Sequence, residues 1–481
     1  MIWLVAMIGS MTGFLFGYDE GIIAGSLDLV RQYFKFSPTE IGAMASALPF
    51  GALIGSVLIG ALLASRCSQS FGRRAILFVA GLLFLLGSLG TAIAEVTGIL
   101  ISARLMLGFA IGLAAVTTPL YLAETAPLHL RGAIVSVYQL AITIGIFCAY
   151  SMNYLLLEHQ AWRIMFASSA IPAVLLLVGI FFLPESPRWL VHVGRESAAL
   201  KALKRLGRTG SVEEEFIEIK TTLAQEPKQA SWADVFKKPL LPVLMLGMIL
   251  FCLQQLSGIN VVIYFAPQLF KNLGFANTTG QILATMGLGL VNLLVTIIAI
   301  FCMDNVGRRK LLLFGFLGTG FSLGILAMFS YFEWPHLASV GVVCLLTYIF
   351  AFAISLGPIP HLAMSEIFPL YMRGIGMGLS SLSNWAFNTI TVFTFPLLQH
   401  SLGIELTFAL YAVICFMGFI YASYFMPETK NLSLEAIEQY LMEGQPLRKL
   451  GRKLPDHDKA KVNLPPVYVN SSAIQGKKSI A

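Results

Sequence analysis

Two ten-residue stretches decide how this chain reads: Ala123-Glu-Thr-Ala-Pro-Leu-His-Leu-Arg-Gly132 and Ser365-Glu-Ile-Phe-Pro-Leu-Tyr-Met-Arg-Gly374. They share Glu, Pro, Leu, Arg and Gly in register, 242 residues apart. Phe71-Gly-Arg-Arg74 recurs as Val306-Gly-Arg-Arg309 at an offset of 235, and Pro184-Glu185 recurs as Pro427-Glu428 at 243. Three motifs repeated in order at nearly one period mark a duplicated chain, so each half should build the same unit.

The surroundings of these motifs say what that unit is. Only 12% of residues are charged and 57% are hydrophobic, at a mean hydropathy of +0.78. A soluble domain carries about a quarter charged residues. The runs 41–65, 75–94, 132–157, 239–270 and 311–332 hold no charge at all, and each is long enough to cross a hydrocarbon core of about 30 Å as a helix. Twelve such segments lie near 1–27, 41–65, 75–94, 96–122, 133–157, 164–183, 240–270, 276–303, 311–332, 337–364, 375–399 and 406–426. Open strands in lipid would leave backbone groups unpaired, so the segments read as helices.

The expected fold is all-α and membrane-spanning, with twelve transmembrane helices in two pseudo-symmetric six-helix bundles at 1–184 and 239–427. A cytoplasmic helical linker is expected at 185–238, where Ser211 with Glu214, and Ser231 with Asp234, resemble capping boxes. The tail at 428–481 should hold one helix near 433–442 and be disordered beyond residue 444. Alternating the loops puts 27 of the 32 Lys and Arg on one side. The positive-inside rule then places linker and both termini in the cytoplasm of a multi-pass cell-membrane protein, in an inner or plasma membrane. The first segment lacks a basic leader and a small-residue cleavage site, so it reads as a span and not a signal peptide.

The same observations exclude other classes. The basic balance is a topology signal and does not point to nucleic acid. The six cysteines are scattered without a C-x-x-C pair, and no cluster of His, Cys or carboxylates suggests a metal, a cofactor or an enzyme. Two repeats flanking a midplane site is a transporter plan.

Ionisable residues inside the spans narrow the function, because a charge at the bilayer centre costs ~2.5–3.5 kcal/mol or more. Asp19 ends the first apolar run and Arg104 lies a third of the way along the fourth, so they are expected to pair. As a structural pair they would stabilise little, which favours a functional use. Polar groups in the spans are Gln139, Gln254, Gln255, Asn260, Tyr264, Asn292, Asn384, Trp385 and Asn388, with His361 in the tenth. Amides that both donate and accept, with an aromatic face, suit a neutral hydroxylated ligand; as interhelical glue each would add ~0.6 kcal/mol. Gln254-Gln255 before Ser257-Gly258 predicts a break in the seventh span.

The chain resembles the sugar porter family of the major facilitator superfamily over essentially 1–443. The resemblance rests on Gly17-Tyr18-Asp19, Arg104 with Gly108 and Gly112, Pro119-x-Tyr121-x-Ala123-Glu124, Gln139-Leu140, Pro184-Glu-Ser-Pro-Arg188-Trp-Leu190, Gln254-Gln255-Leu-Ser-Gly-Ile-Asn260, Asp304-x-x-Gly-Arg-Arg309 and Pro427-Glu-Thr429. It implies a monosaccharide–proton symporter with no cofactor, working as a monomer. It further implies sugar contacts from Gln139, Gln254, Gln255, Asn260, Asn292 and Asn384, and proton coupling at Asp19 tuned by Arg104. It makes Arg73, Arg74, Glu124, Arg131, Glu185, Arg188, Asp304, Arg308, Arg309, Glu366, Arg373 and Glu428 a gate of ion pairs between the halves. Two departures stand out. Gln69 replaces the acid usual before Gly72, and His361 replaces the tryptophan that normally covers the sugar. Remaining alternatives are a passive facilitator, a polyol or inositol carrier, and a non-transporting nutrient sensor; the short tail argues against the last.

Overall fold

A computed structural model describes residues 1–64, 72–127, 130–207, 212–225, 235–237, 240–369, 372–430, 432, 434–443 and 445–450. The first half contains α1 Ile2–Phe34, α2 Pro38–Ala64, α3 Arg73–Ala92, α4 Thr97–Thr125, α5 Arg131–Leu156, and the pair α6 Trp162–Ser168 and α7 Ala170–Phe182 that together make one span. Three short helices follow: α8 Pro187–His192, α9 Glu196–Arg205 and α10 Val212–Gln225. They mark what is called here the linker end of the molecule, the other being the far end. Ser186 caps α8, its hydroxyl accepting from the Trp189 amide at 3.1 Å. The capping residues expected at Ser211, Ser231 and Asp234 lie outside the described residues.

The second half contains α11 Leu241–Leu256, α12 Ile259–Tyr264, α13 Ala266–Asn272, α14 Thr278–Val306, α15 Arg308–Tyr331, α16 Leu337–Ala351, α17 Ile359–Ile367, α18 Arg373–Phe425 and α19 Leu434–Met442. Two of its spans are broken. The seventh stops at Leu256 and restarts past Gly258, whose φ of 93° only glycine adopts cheaply. The tenth widens into a π-type turn at Phe352–Leu356 before α17, where Pro358 and Pro360 remove backbone donors. Eleven helices among the described residues are long and apolar enough to span. The last, α18, turns at Gly403 (φ 84°, ψ 166°) and is two spans, giving the twelve expected.

Glycines let the spans meet backbone to backbone. Gly9, Gly13, Gly17, Gly21 and Gly25 fall every fourth residue on α1. A side chain at Gly17 would strike the carbonyl of Ile142 on α5, and one at Gly145 would strike that of Phe14 in return. Gly108 of α4 meets the Leu48 carbonyl of α2 in the same way. Such small-residue stripes replace hydrophobic driving force in a membrane.

One apolar core runs through both halves at the far end, joining Ile22, Ile146 and Tyr150 to Val261, Phe270 and Phe395. Towards the linker end the core splits, one part around Leu77, Leu107 and Ile180, the other around Leu244, Phe316 and Met364. The halves therefore close on each other at the far end and part at the linker end. Large apolar side chains such as Leu175, Phe181, Phe301, Phe321 and Val413 stand exposed on the outside, a face that suits lipid and not water.

Candidate functional site

Asp19 and Arg104 meet as the charge argument requires. The Arg104 Nη2–Asp19 Oδ2 distance is 3.5 Å, with side-chain exposures of 0% and 1%. Arg104 donates through Nε to the Met44 carbonyl of α2 at 3.1 Å and lies over the Phe166 ring at 5.8 Å. Among the described residues, neither Asp19 oxygen nor either Arg104 Nη atom makes a hydrogen bond. A buried ion pair is held firmly when hydrogen bonds complete it; in this one, among the described residues, only Arg104 Nε is so completed.

Glu20, the next residue, is a second carboxyl at the same depth, 4% exposed. The sequence reading passed over it, although an acid following an apolar run is the signal that singled out Asp19. Glu20 sits against Tyr264 of α12 and within electrostatic reach of Tyr138 and Tyr150 on α5. Tyr150 in turn donates to the Ile263 carbonyl at 2.9 Å, tying α5 to α12 across the halves.

The amides gather around the broken spans. Gln254 donates to the Leu356 carbonyl at 2.7 Å and accepts from Asn384 at 2.9 Å, so it links α11, the break in the tenth span and α18. Asn260 donates to Gln255 Oε1 at 2.5 Å, bridging the break in the seventh. Asn388 is buried with Oδ1 unbonded among the described residues. Trp385 is buried against Phe16 of the other half, with centroids 5.5 Å apart. His361 is exposed, although the Phe251 ring lies 4.6 Å from its own, so it borders the open space between the halves. Gln139 is half-buried on α5 and Asn292 buried on α14; no hydrogen bond joins their side chains to the other candidates among the described residues. Tyr264 is turned to Glu20 rather than into the amide cluster.

At the linker end the repeated motifs form one arrangement twice. Arg73 donates to both oxygens of Glu124, at 3.0 and 3.1 Å, and Arg308 donates twice to Oε1 of Glu366, at 2.8 and 3.2 Å, the other Glu366 oxygen accepting from Thr429. Glu185 accepts from the backbone N–H of Arg74 at 3.2 Å, and Glu428 from that of Arg308 at 3.0 Å. Arg74 donates to the Phe181 carbonyl, and Arg309 to that of Ser423. Burial pushes the Glu185 carboxyl above the usual carboxylate range, while the Ser186 and Arg74 amides hold it back.

Ion pairs between the halves are expected where the linker ends meet, and in this state those ends stand apart. Both described pairs, Arg73–Glu124 and Arg308–Glu366, lie inside one half. Arg373 donates to the Phe368 carbonyl within its own half, and Arg188 lies on α8. The side chains of Arg131 and Asp304, and the whole of Gln69, lie outside the described residues. Among those described, no three His, Cys, Asp or Glu side chains group as metal ligands.

The family described as sugar (and other) transporter matches residues 5–441. The putative metabolite transport protein YwtG of Bacillus subtilis is 40% identical over 444 residues, covering 92% of this chain and 95% of that protein. The galactose-proton symporter of Escherichia coli K12 is 38% identical over 456 residues, covering 94% and 97%. Among solved structures, the inward open conformation of the xylose transporter XylE from E. coli superposes with a TM-score of 0.79 at 30% identity. It covers 92% of this chain and 100% of its own.

Proposed function

Because this chain belongs to the sugar transporter family, we propose that it is a proton-coupled symporter carrying a monosaccharide into the cell by alternating access. The observation that carries the coupling is the buried Asp19–Arg104 pair, whose carboxylate oxygens are without hydrogen bonds. A carboxylate held by charge alone can leave its partner, take a proton and return as the halves rock. Relatives named as galactose-, arabinose- and xylose-carrying proteins support a pentose or hexose as substrate.

The sugar would sit between the halves at Gln254, Gln255, Asn260, Asn384 and Asn388, joined by Asn292 of the same half, with Gln139 of the first half opposite and His361 and Trp385 at the rim. The two bridged amide pairs keep their donors and acceptors aligned for hydroxyls. With the linker in the cytoplasm, as the charge asymmetry requires, this is the inward-facing state, and the paired motifs at 73–74, 124, 185, 308–309, 366 and 428 stiffen each half as it moves. The working unit is a monomer, since one chain contains both halves of the site.

Asp19→Asn imitates the protonated carboxyl permanently. The variant should keep sugar counterflow in proteoliposomes and lose accumulation driven by an inward-acid pH step. Accumulation persisting in the variant would remove Asp19 from the coupling, and a parent protein indifferent to the gradient would favour a passive facilitator.

A further inference from the structure

Successive side chains on a helix point about 100° apart. Asp19 turns into its own half towards Arg104, whereas Glu20 is set against Tyr264 on α12 of the other half. The contact of α1 with α12 belongs to the core that closes the far end. The groups facing Glu20 are Asp19 on its own helix, Tyr138 and Tyr150 on α5, and Tyr264 on α12, with Arg104 of α4 acting on Asp19 and Tyr264. Tyr18, also on α1, is committed to Ser168 at 2.7 Å. Among the described residues Glu20 makes no ion pair with a cation, and the wholly buried Tyr264 side chain lies against it. One guanidinium thus serves two buried carboxyls. Unless a proton is held between them the group is left with net negative charge at membrane depth, where charge is costly. Carboxyls this close titrate as a pair.

We propose that Glu20 is a second proton-coupling residue: it holds a proton while seated against Tyr264, and losing that proton breaks the α1–α12 contact and opens the far end. Closure of the far end then takes up one proton. This goes beyond the assignment of coupling to Asp19, and the two are tested by different measurements.

The experiment uses the full chain in nanodiscs, with spin labels at Ile93 and Leu402. Both are exposed, at 72% and 44%, at the far ends of opposite halves. Distances between the labels are read by double electron–electron resonance from pH 5 to pH 9. In the parent protein the closed-to-open ratio should fall with rising pH, by up to about tenfold per pH unit for one proton. Glu20→Gln should stay closed with no slope, and Glu20→Asp, which keeps the carboxyl, should keep a slope. A flat parent profile, a flat Glu20→Asp profile, or a parent-like slope in Glu20→Gln overturns the proposal. A parent that ignores a proton gradient in uptake yet shows the slope sinks the symport reading, overturns Glu20 as a coupling residue and leaves it as the group whose proton closes the far end.

Discussion

At position 361 a histidine stands where the family resemblance leads one to expect an indole. Its ring is exposed at the edge of the space between the halves, with Phe251 behind it. Imidazole offers less apolar area to the C–H face of a sugar than indole does. An aromatic face contributes about 0.5–1.5 kcal/mol beyond its area, so His361→Trp should tighten binding of the transported sugar roughly two- to tenfold, measured by calorimetry, or redirect the preference within a sugar panel. Identical affinities throughout would place residue 361 off the pocket. The charged residues were the legible part of the site, since a charge inside an apolar run is conspicuous in any sequence; Asp19 and Arg104 were paired on that ground alone, and Glu20 carried the same signal. The amides were legible as polar residues, but not as pairs: Gln254 and Asn384 are 130 apart in sequence and carry no mark of being neighbours, and Gln255 and Asn260, five apart, meet only because the helix breaks between them.

Elements follow the same rule, with local signals readable and mutual ones hidden. Ser257-Gly258 announces the break in the seventh span, whereas the break in the tenth went unread although Pro358 and Pro360 remove donors a helix needs there. The turn at Gly403 sits in the gap foreseen between the last two spans. The glycine stripe on α1 went unread, since its purpose is a second helix, α5, whose backbone it touches. Gly17 is the tightest test of that contact. Its missing side chain makes room for the Ile142 carbonyl, a backbone atom that no rotamer change can move aside. Gly17→Leu should force α1 from α5, at a cost of about 1–3 kcal/mol or more for overpacking, and with it displace Asp19 from Arg104. The expected result is a lower melting temperature in detergent and lost uptake. A variant with parental melting and transport would show that the two helices can separate without consequence.

At the scale of the whole molecule, the duplicated motifs were legible as a repeat, and the repeat implied two similar bundles. Sequence could not show which face of each motif meets what. Arg73–Glu124 and Arg308–Glu366 proved to be corresponding pairs inside each half, which suits the proposed mechanism, in which each bundle moves as a body while the contact between bundles shifts. In the state described, that contact is the far-end core, and one of its closest approaches is Gly42 of α2 beneath the Phe393 carbonyl of α18. Gly42 is buried there with no space for even a methyl group. Gly42→Trp should therefore wedge the far ends apart and favour the opposite state, open at the far end and closed at the linker end. The amide cluster lies below the wedge, so sugar binding should survive within a fewfold of the parent by calorimetry. Counterflow and uptake should be lost, because alternating access needs both states. Robust counterflow in the variant would mean that the far ends do not need to close at Gly42 for the sugar to cross.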